Sequence, residues 1–393
     1  MAFRAEPLRN RPMLKSVQLS LMIGPVVPLA PPREVMDALT EVEVKVEDTG
    51  QSGFQLVFSI DKQSPLQILF LLTGGLPLLF MRVVLTATVN GVANVLIDGL
   101  ITNNEISPGD KGSNSTMTIT GKDLTVLMDQ SKLSGFPFPA CTADVRVAFL
   151  LSKYEVLGIL PLIIPSILTD LSLPIDKIPS QKGTDLQYIR YLAEQSGYVF
   201  YLDPGPVPGI SKAYWGPQNK VGTPQPALSA DMDAYTNVEN LHFRFDQERN
   251  KIPLLYIHRQ ESGTTYAVPV PPITPLNPPL GLIPPLPTNL LPPDLSPFRD
   301  DLSKRPIPQA VMMGLAAAAQ YAEVVSCEGS LDVTRYGGVL QARKLVGVRG
   351  AGLAFDGLYY VKSVTHKIKR GEYKQNFTLT RNGLVSTVPT VNL

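Results

Sequence analysis

The sequence predicts a mainly β protein with an α+β middle module, built as two small β-barrels in pseudo-repeat plus insertions. Three observations predict it. Apolar and polar residues alternate with period two in short runs before residue 134 and again after residue 234. An Asn90-Gly91 dipeptide joins two such runs, and Asn-Gly between alternating segments is a strong hairpin signal. Between the two regions the apolar spacing becomes helical.

The boundaries that follow are these. Residues 1–40 form a Pro-rich arm, 41–134 a first barrel, and 135–233 an α+β middle domain. Residues 234–260 and 323–385 form a second barrel, interrupted by a Pro-rich insertion and an Ala-rich helix at 261–322. Residues 386–393 are a tail.

Residues 1–40 read as irregular, with a Pro-apolar patch at Ile23–Pro32. Strands begin at Glu41, where Val42, Val44 and Val46 alternate with charged neighbours. Phe54, Leu56, Phe58 and Ile60 repeat the pattern, followed by Met81–Val89, Val92–Leu100 and Thr116–Thr120. A helix is predicted over Asp123–Ser131. In the middle, Thr142 is placed to cap a helix running through Val145, Phe149 and Leu150. Thr184 caps another, with Asp185 in its first turn, Leu186, Ile189, Leu192 and Ala193 on one face, and Gly197 as its stop. Tyr198–Leu202 and Ala213–Gly216 then read as a short hairpin. Strands resume at Val238, where Leu241, Phe243 and Phe245 oppose Asn240, His242 and Arg244, and continue with Leu254–Arg259. After a helix at Gln309–Ala322 come Val324–Val333, Val339–Val348 and a hairpin of Leu358–Lys369 with Tyr373–Arg381 around Arg370-Gly371-Glu372.

Composition excludes some functions. Thirty-five basic residues against 34 acidic give a net charge of +1, so no global field gathers nucleic acid or an anionic membrane. The N-terminus predicts no signal peptide. The apolar runs Leu66–Met81 and Val156–Leu168 fall short of the roughly 18–20 residues that span a bilayer, so they read as core or subunit interface. Proline is the outlier at 37 residues, 12 of them between Pro269 and Pro297. That stretch carries Leu and Ile, unlike a polar flexible linker, and reads as an extended segment packed on its own barrel or on a neighbour.

No catalytic, cofactor-binding or metal-ligating residue is assigned. His242, His258 and His366 have no metal-ligand spacing, and Cys141 and Cys327 read as free thiols. Cys141 stands just before a helix start, where a thiol can be activated, but no partner histidine is evident. Gly347, Gly350 and Gly352 match no phosphate-loop pattern and read as turn residues needing positive φ. Carboxylates are scattered without the pairing that glycoside hydrolysis needs. Lys367, Lys369, Arg370 and Lys374 make a local basic patch, read as a solvated tip or a rim for an acidic partner, not as a specific nucleic-acid site. Trp215 with Tyr214 could serve as a sugar platform.

These residues resemble the late control protein D family, the hub proteins of contractile phage tails and related injection machines, whose fold also forms the N-terminal half of type VI spike proteins. The resemblance rests first on Leu96-Ile97-Asp98-Gly99-Leu100-Ile101 and Met117-Thr118-Ile119-Thr120-Gly121-Lys122-Asp123. It continues through Thr184-Asp185-Leu186, Leu192-Ala193-Glu194, Gly197-Tyr198 and Ala213 to Trp215-Gly216-Pro217. It ends on Arg335-Tyr336-Gly337, Val346 to Gly352, Asp356 to Val361, Val364-Thr365-His366, Gly371-Glu372-Tyr373, Phe377 and Leu379-Thr380-Arg381. It implies a non-enzymatic homotrimeric hub whose tube-like barrels turn threefold into sixfold symmetry. The tube or its initiator would sit above and a spike, supplied as a separate chain, below. Other baseplate proteins would meet the Pro-rich and apolar segments. The hub would be made in the bacterial cytoplasm and end in a virion baseplate or injection particle, with no cofactor. Two other functions share this sequence: a peptidoglycan hydrolase on a hub fold, and a surface- or carbohydrate-binding module.

Overall fold

Alternation of apolar and polar residues makes most of this chain strand, and the strands pair into one extended sheet. The computed structural model describes residues 17–25, 27–60, 81–109, 114–132, 134–166, 178–246, 254–259, 264–270, 277–283 and 307–387. The stretch from Leu66 up to Met81, and the Pro-rich residues at 271–276 and 284–297, lie outside these residues.

The first unit comprises β1 (Val17–Pro25), α1 (Arg33–Ala38), β2 (Leu39–Glu47), β3 (Gly53–Ile60), β4 (Met81–Val89), β5 (Val92–Ser107), β6 (Ser115–Asp123) and α2 (Thr125–Gln130). β1 corrects the irregular reading of residues 1–40: Val17, Leu19, Leu21 and Ile23 alternate and pair with β4. The neighbouring prolines had masked that alternation. Asn90 and Gly91 turn β4 into β5 with φ of 52° and 83°, the two positive values that a type I′ hairpin demands. β5 runs on to Ser107, well past the predicted end at Leu100, because β6 gives it a partner throughout.

The middle module holds α3 (Ala143–Ser152), β7 (Ile159–Ile163), α4 (Asp185–Ser196), β8 (Val199–Pro204) and β9 (Ser211–Gly216). Its three strands form a separate sheet in the order β7-β9-β8. Thr184 and Gln187 make a reciprocal capping box on α4, and Gly197 ends it at φ 67°. Leu186, Ile189, Leu192 and Ala193 are buried, as predicted. Thr184→Ala should cost about 1 kcal/mol in a urea-melt comparison. α3 begins after Thr142, but no side-chain cap bond forms there. Its buried face is Val147, Leu150 and Leu151; Val145 and Phe149 point outward, and Phe149 stacks on Phe136 at 5.5 Å.

The second unit contains β10 (Gln225–Ser229), β11 (Asn240–Phe245), β12 (Leu254–Arg259), β13 (Thr264–Pro269), β14 (Gly281–Ile283) and α5 (Ile307–Tyr321). It continues with β15 (Val325–Asp332), α6 (Val333–Tyr336), β16 (Leu345–Arg349), β17 (Gly357–Lys369), β18 (Glu372–Arg381) and β19 (Leu384–Ser386). Leu254–Arg259 was expected to extend the second barrel. It pairs instead with β13 as a ribbon of its own, since Thr264–Pro269 follows within hairpin reach. The described part of the Pro-rich segment does pack on its own unit. β14 pairs with β19, and Leu280 is buried with Leu345 and Tyr360.

Strand order repeats between the two units. The first runs β1-β4-β5-β6-β3-β2; the second runs β10-β16-β17-β18-β15-β11. Counted along the chain, both place their strands one-four-five-six-three-two. The fifth strand of each is the longest of its unit and shifts register against the sixth, between Ile101 and Asn103 in β5 and between Val361 and Ser363 in β17. One pairing differs in sense: β1–β4 is antiparallel and β10–β16 parallel. Neither unit closes into a barrel among the described residues, since β1 does not pair β2 and β10 does not pair β11. A gap of about 410 Å³ between β1 and β2 is lined by Val17, Leu19, Met36 and Leu39. The units are joined by β2, which pairs antiparallel with the far half of β17, so their apolar faces share one core. A second core, centred on Leu151, Ile189 and Trp215, belongs to the middle module. Among the described residues no helix is long and apolar enough to cross a membrane.

Candidate functional site

Buried charged side chains sit where the modules meet. Arg82 on β4 grips Asp98 on β5 through Nε and Nη2, both at 2.7 Å, and also donates from Nη2 to Gly209 O of the middle module at 2.9 Å. Arg343, just before β16, reaches across all three modules. It donates to Glu47 O of the first unit at 3.0 and 2.6 Å and to Leu202 O of the middle module at 2.8 Å. Its guanidinium lies 3.9 Å from the centroid of the Tyr201 ring. Such anchors fix the modules relative to one another, because each buried donor must keep its acceptor.

A third node lines a cleft of about 590 Å³ between α4 and α5. Lys220 donates to Glu323 and to Asn277, each at 2.9 Å, and Lys362 approaches Glu323 at 3.5 Å. Burial pushes the Glu323 carboxyl up, but Lys220 and Lys362 outweigh it and hold the group below its ordinary value. Asp48 moves the other way: burial raises it, Lys362 opposes, and Glu323 adds to the rise. Asn382 ties the node to the Pro-rich segment by donating to Pro278 O and accepting from Leu280 N. The node has the partners of a structural lock. It contains no nucleophile beside a base.

The residues singled out in the sequence scatter across the fold. Trp215 is fully buried and packs edge-on to Tyr198, while Tyr214 stacks on Tyr201. That corrects the sugar-platform reading, since neither ring offers a free face as a pair. His242 is exposed on β11, and His258 has a side chain outside the described residues. His366 is buried, its Nδ1 2.8 Å from Tyr373 OH and 3.2 Å from Gln375 Nε2. Burial drives it down to about 3, so it is neutral in the fold. Cys327 is buried as well, and its thiol is pushed up to about 12. Cys141 Sγ contacts Pro139 O at 3.3 Å. Among the described residues no three His, Cys, Asp or Glu side chains group as metal ligands.

The basic patch is paired across strands. Lys369 meets Glu41 at 3.3 Å, Lys367 meets Glu43 at 3.9 Å, and Lys374 meets Glu239 at 2.9 Å. Arg370 donates to Asp37 O. Lys367 and Lys369 therefore serve the β2–β17 joint, Lys374 ties β18 to the residue before β11, and Arg370 reaches α1. Gly350 and Gly352 behave as turn chemistry predicts, with φ of 79° and 89°, whereas Gly347 lies inside β16 without a positive φ, which corrects its reading as a turn residue. A Cβ at Gly350 would stand 1.8 Å from Ala230 O. What sequence reading missed is the set of buried arginines, for which only an isolated charge amid apolar strand residues, as at Arg82, was a signal. Apolar surface remains exposed on β7, an edge strand, where Ile159 is buried but Leu160 and Leu162 are not, nor is Ile164 beyond it.

No protein-family model and no curated protein sequence matches the chain. Solved structures do. A tail protein from Neisseria meningitidis MC58 is similar over 94% of this chain and 98% of its own, at 13% identity and a TM-score of 0.61. The 43 kDa tail protein of prophage MuSo2 from Shewanella oneidensis is similar over 93% and 98%, at 13% identity and a TM-score of 0.59. A chain of the Francisella PdpA–VgrG complex matches over 96% of this chain and 60% of its own, at 10% identity and a TM-score of 0.53. The tail fold expected from the sequence is thus observed: along nearly its whole length, this chain has the fold of phage tail proteins and of part of a type VI spike complex.

Proposed function

We propose that this chain is the structural baseplate hub of a contractile tail or injection machine. Three copies form a ring that joins a sixfold inner tube to a threefold spike. The observation that carries this reading is the repeated strand order. A chain holding two units of the same strand order gives six such units in a threefold ring, which matches a six-copy tube. The likeness to tail proteins along the whole chain supports it, and so do the buried polar locks, which keep the modules rigid instead of preparing a reaction. The exposed side of β7 and the Pro-rich segment supply surface for the spike and for neighbouring baseplate proteins.

Co-production with the machine's own spike protein tests the reading. Light scattering of the purified complex should give three times the 42.8 kDa chain mass plus the mass of the retained spike. A monodisperse single chain beside unbound spike would contradict it. Incubation with peptidoglycan should release no soluble fragments; measurable turnover would favour the hydrolase.

A further inference from the structure

We propose that a second copy of this chain docks its β11 against the free edge of β5 at Asn103–Ser107, in the register that β2 and β17 adopt within one chain. The proposal rests on the hub reading and names the contact that would build the ring.

The chain carries its own template for this contact. One edge of β17 is shared: Gly357–Tyr360 pairs with β16, and Ser363–Lys369 pairs with β2. β5 is the counterpart of β17. Its residues Val92–Leu100 pair with β4 on the equivalent edge, and beyond them that edge has no partner among the described strands. β11 is the counterpart of β2 and, among the described strands, pairs with β15 on one side only. So each copy lacks one joint at each end: a fifth strand without a second strand, and a second strand without a fifth. Unpaired edges of this kind are the usual templates for strand addition.

Pair registers fix the alignment. Val44 faces Phe54, Phe54 faces Gly121, and Gly121 faces Ile101. In the other unit Phe243 faces Cys327, Cys327 faces Leu379, and Leu379 faces Val361. Phe243 is therefore the equivalent of Val44, and Asn103, after the register shift, that of Ser363. Within one chain Val44 opposes His366, Lys45 opposes Thr365 and Val46 opposes Val364. Transposed, Phe243 opposes Ile106 of the second copy, Arg244 opposes Glu105, and Phe245 opposes Asn104.

The side chains fit this register. Ile106 is 48% exposed and Phe245 37%, where the template has the buried His366 and the half-buried Val46. Pairing would cover them. Arg244 and Glu105 are exposed and of opposite charge, directly across from each other; among the described residues of the single chain Arg244 reaches Asp246, at 3.7 Å. Cross-strand opposite charges favour a register, and a slip by one residue would turn every side chain to the other face. Because the two edges differ, the contact is head-to-tail, the kind that closes rings.

Cysteine pairing reads the contact directly. In the template Asp48 N donates to Lys362 O, which makes Lys45–Thr365 a non-hydrogen-bonded pair with close side chains. The Arg244–Glu105 site inherits that geometry, within disulfide range. In a full-length Cys141→Ser background assembled with spike, Arg244→Cys chains mixed with Glu105→Cys chains should oxidise to a covalent dimer. Neither alone should. A chain carrying both should give a ladder ending at three copies. Arg244→Cys with Asn104→Cys, one residue out of register, should give no product. A three-copy particle without the Arg244–Glu105 crosslink, or with equal crosslinking at the shifted pair, overturns this contact and leaves the hub standing. A single chain by mass with no crosslink overturns both.

Discussion

Arg82→Ala is expected to cost about 3–5 kcal/mol of stability, because it leaves Asp98 buried without its counter-ion. Both side chains are nearly inaccessible, and Ser211 Oγ, 3.5 Å from Asp98, cannot replace a bidentate guanidinium. The loss should show as a lower urea midpoint. It should also loosen the contact between the first unit and the β8–β9 turn, since Gly209 O loses its donor. Removing both charges tests the cause. Arg82→Met with Asp98→Leu should recover most of the stability, because apolar replacements of a buried pair are commonly near neutral. An alanine variant as stable as the parent would show that the Arg82–Asp98 pair does not hold these strands together.

Acid should weaken the fold through His366. Its pKa falls from 6.5 to about 3 on folding, for lack of solvation in the shared core. The unfolded chain therefore binds a proton that the folded chain refuses. The contribution is fully present above pH 6.5 and is lost as pH drops from there towards 3. Its full size is on the order of 5 kcal/mol. Glu323 acts lower: its depressed pKa supplies stability above the ordinary value of 4.5, lost as pH falls below that. Asp48 opposes both, since its raised pKa favours the protonated fold. Between pH 6.5 and 5 His366 should dominate. His366→Gln keeps a polar partner for Tyr373 and removes the titration, so its stability should rise less steeply with pH across that interval than the parent's. An unchanged slope in the variant would assign the acid sensitivity elsewhere.

Local chemistry was legible in the sequence and long-range pairing was not. Asn90-Gly91 announced its hairpin because only two positive φ values let β4 turn into β5. Thr184 and Gly197 announced both ends of α4 through groups that act within one turn. Val42 and Val44 gave away a half-buried strand. None of these says which strand lies beside β2, and its partner β17 is near the other end of the chain. For the same reason Lys367 and Lys369 read as a free patch until Glu43 and Glu41 came alongside. Trp215 looked like a surface ring because its strand is short, and what buries it comes from elsewhere in the middle module. β1 alternates from Val17 to Ile23, but its partner β4 lies some sixty residues away, beyond the prolines that follow it.

The duplicated strand order is the property on which the functional account stands. End-on images of the hub bound to its spike measure it most directly. The account predicts a closed collar of six density lobes around one bore, alternating in shape so that only threefold symmetry survives refinement. Three lobes, six identical lobes, or an open arc of copies would contradict it.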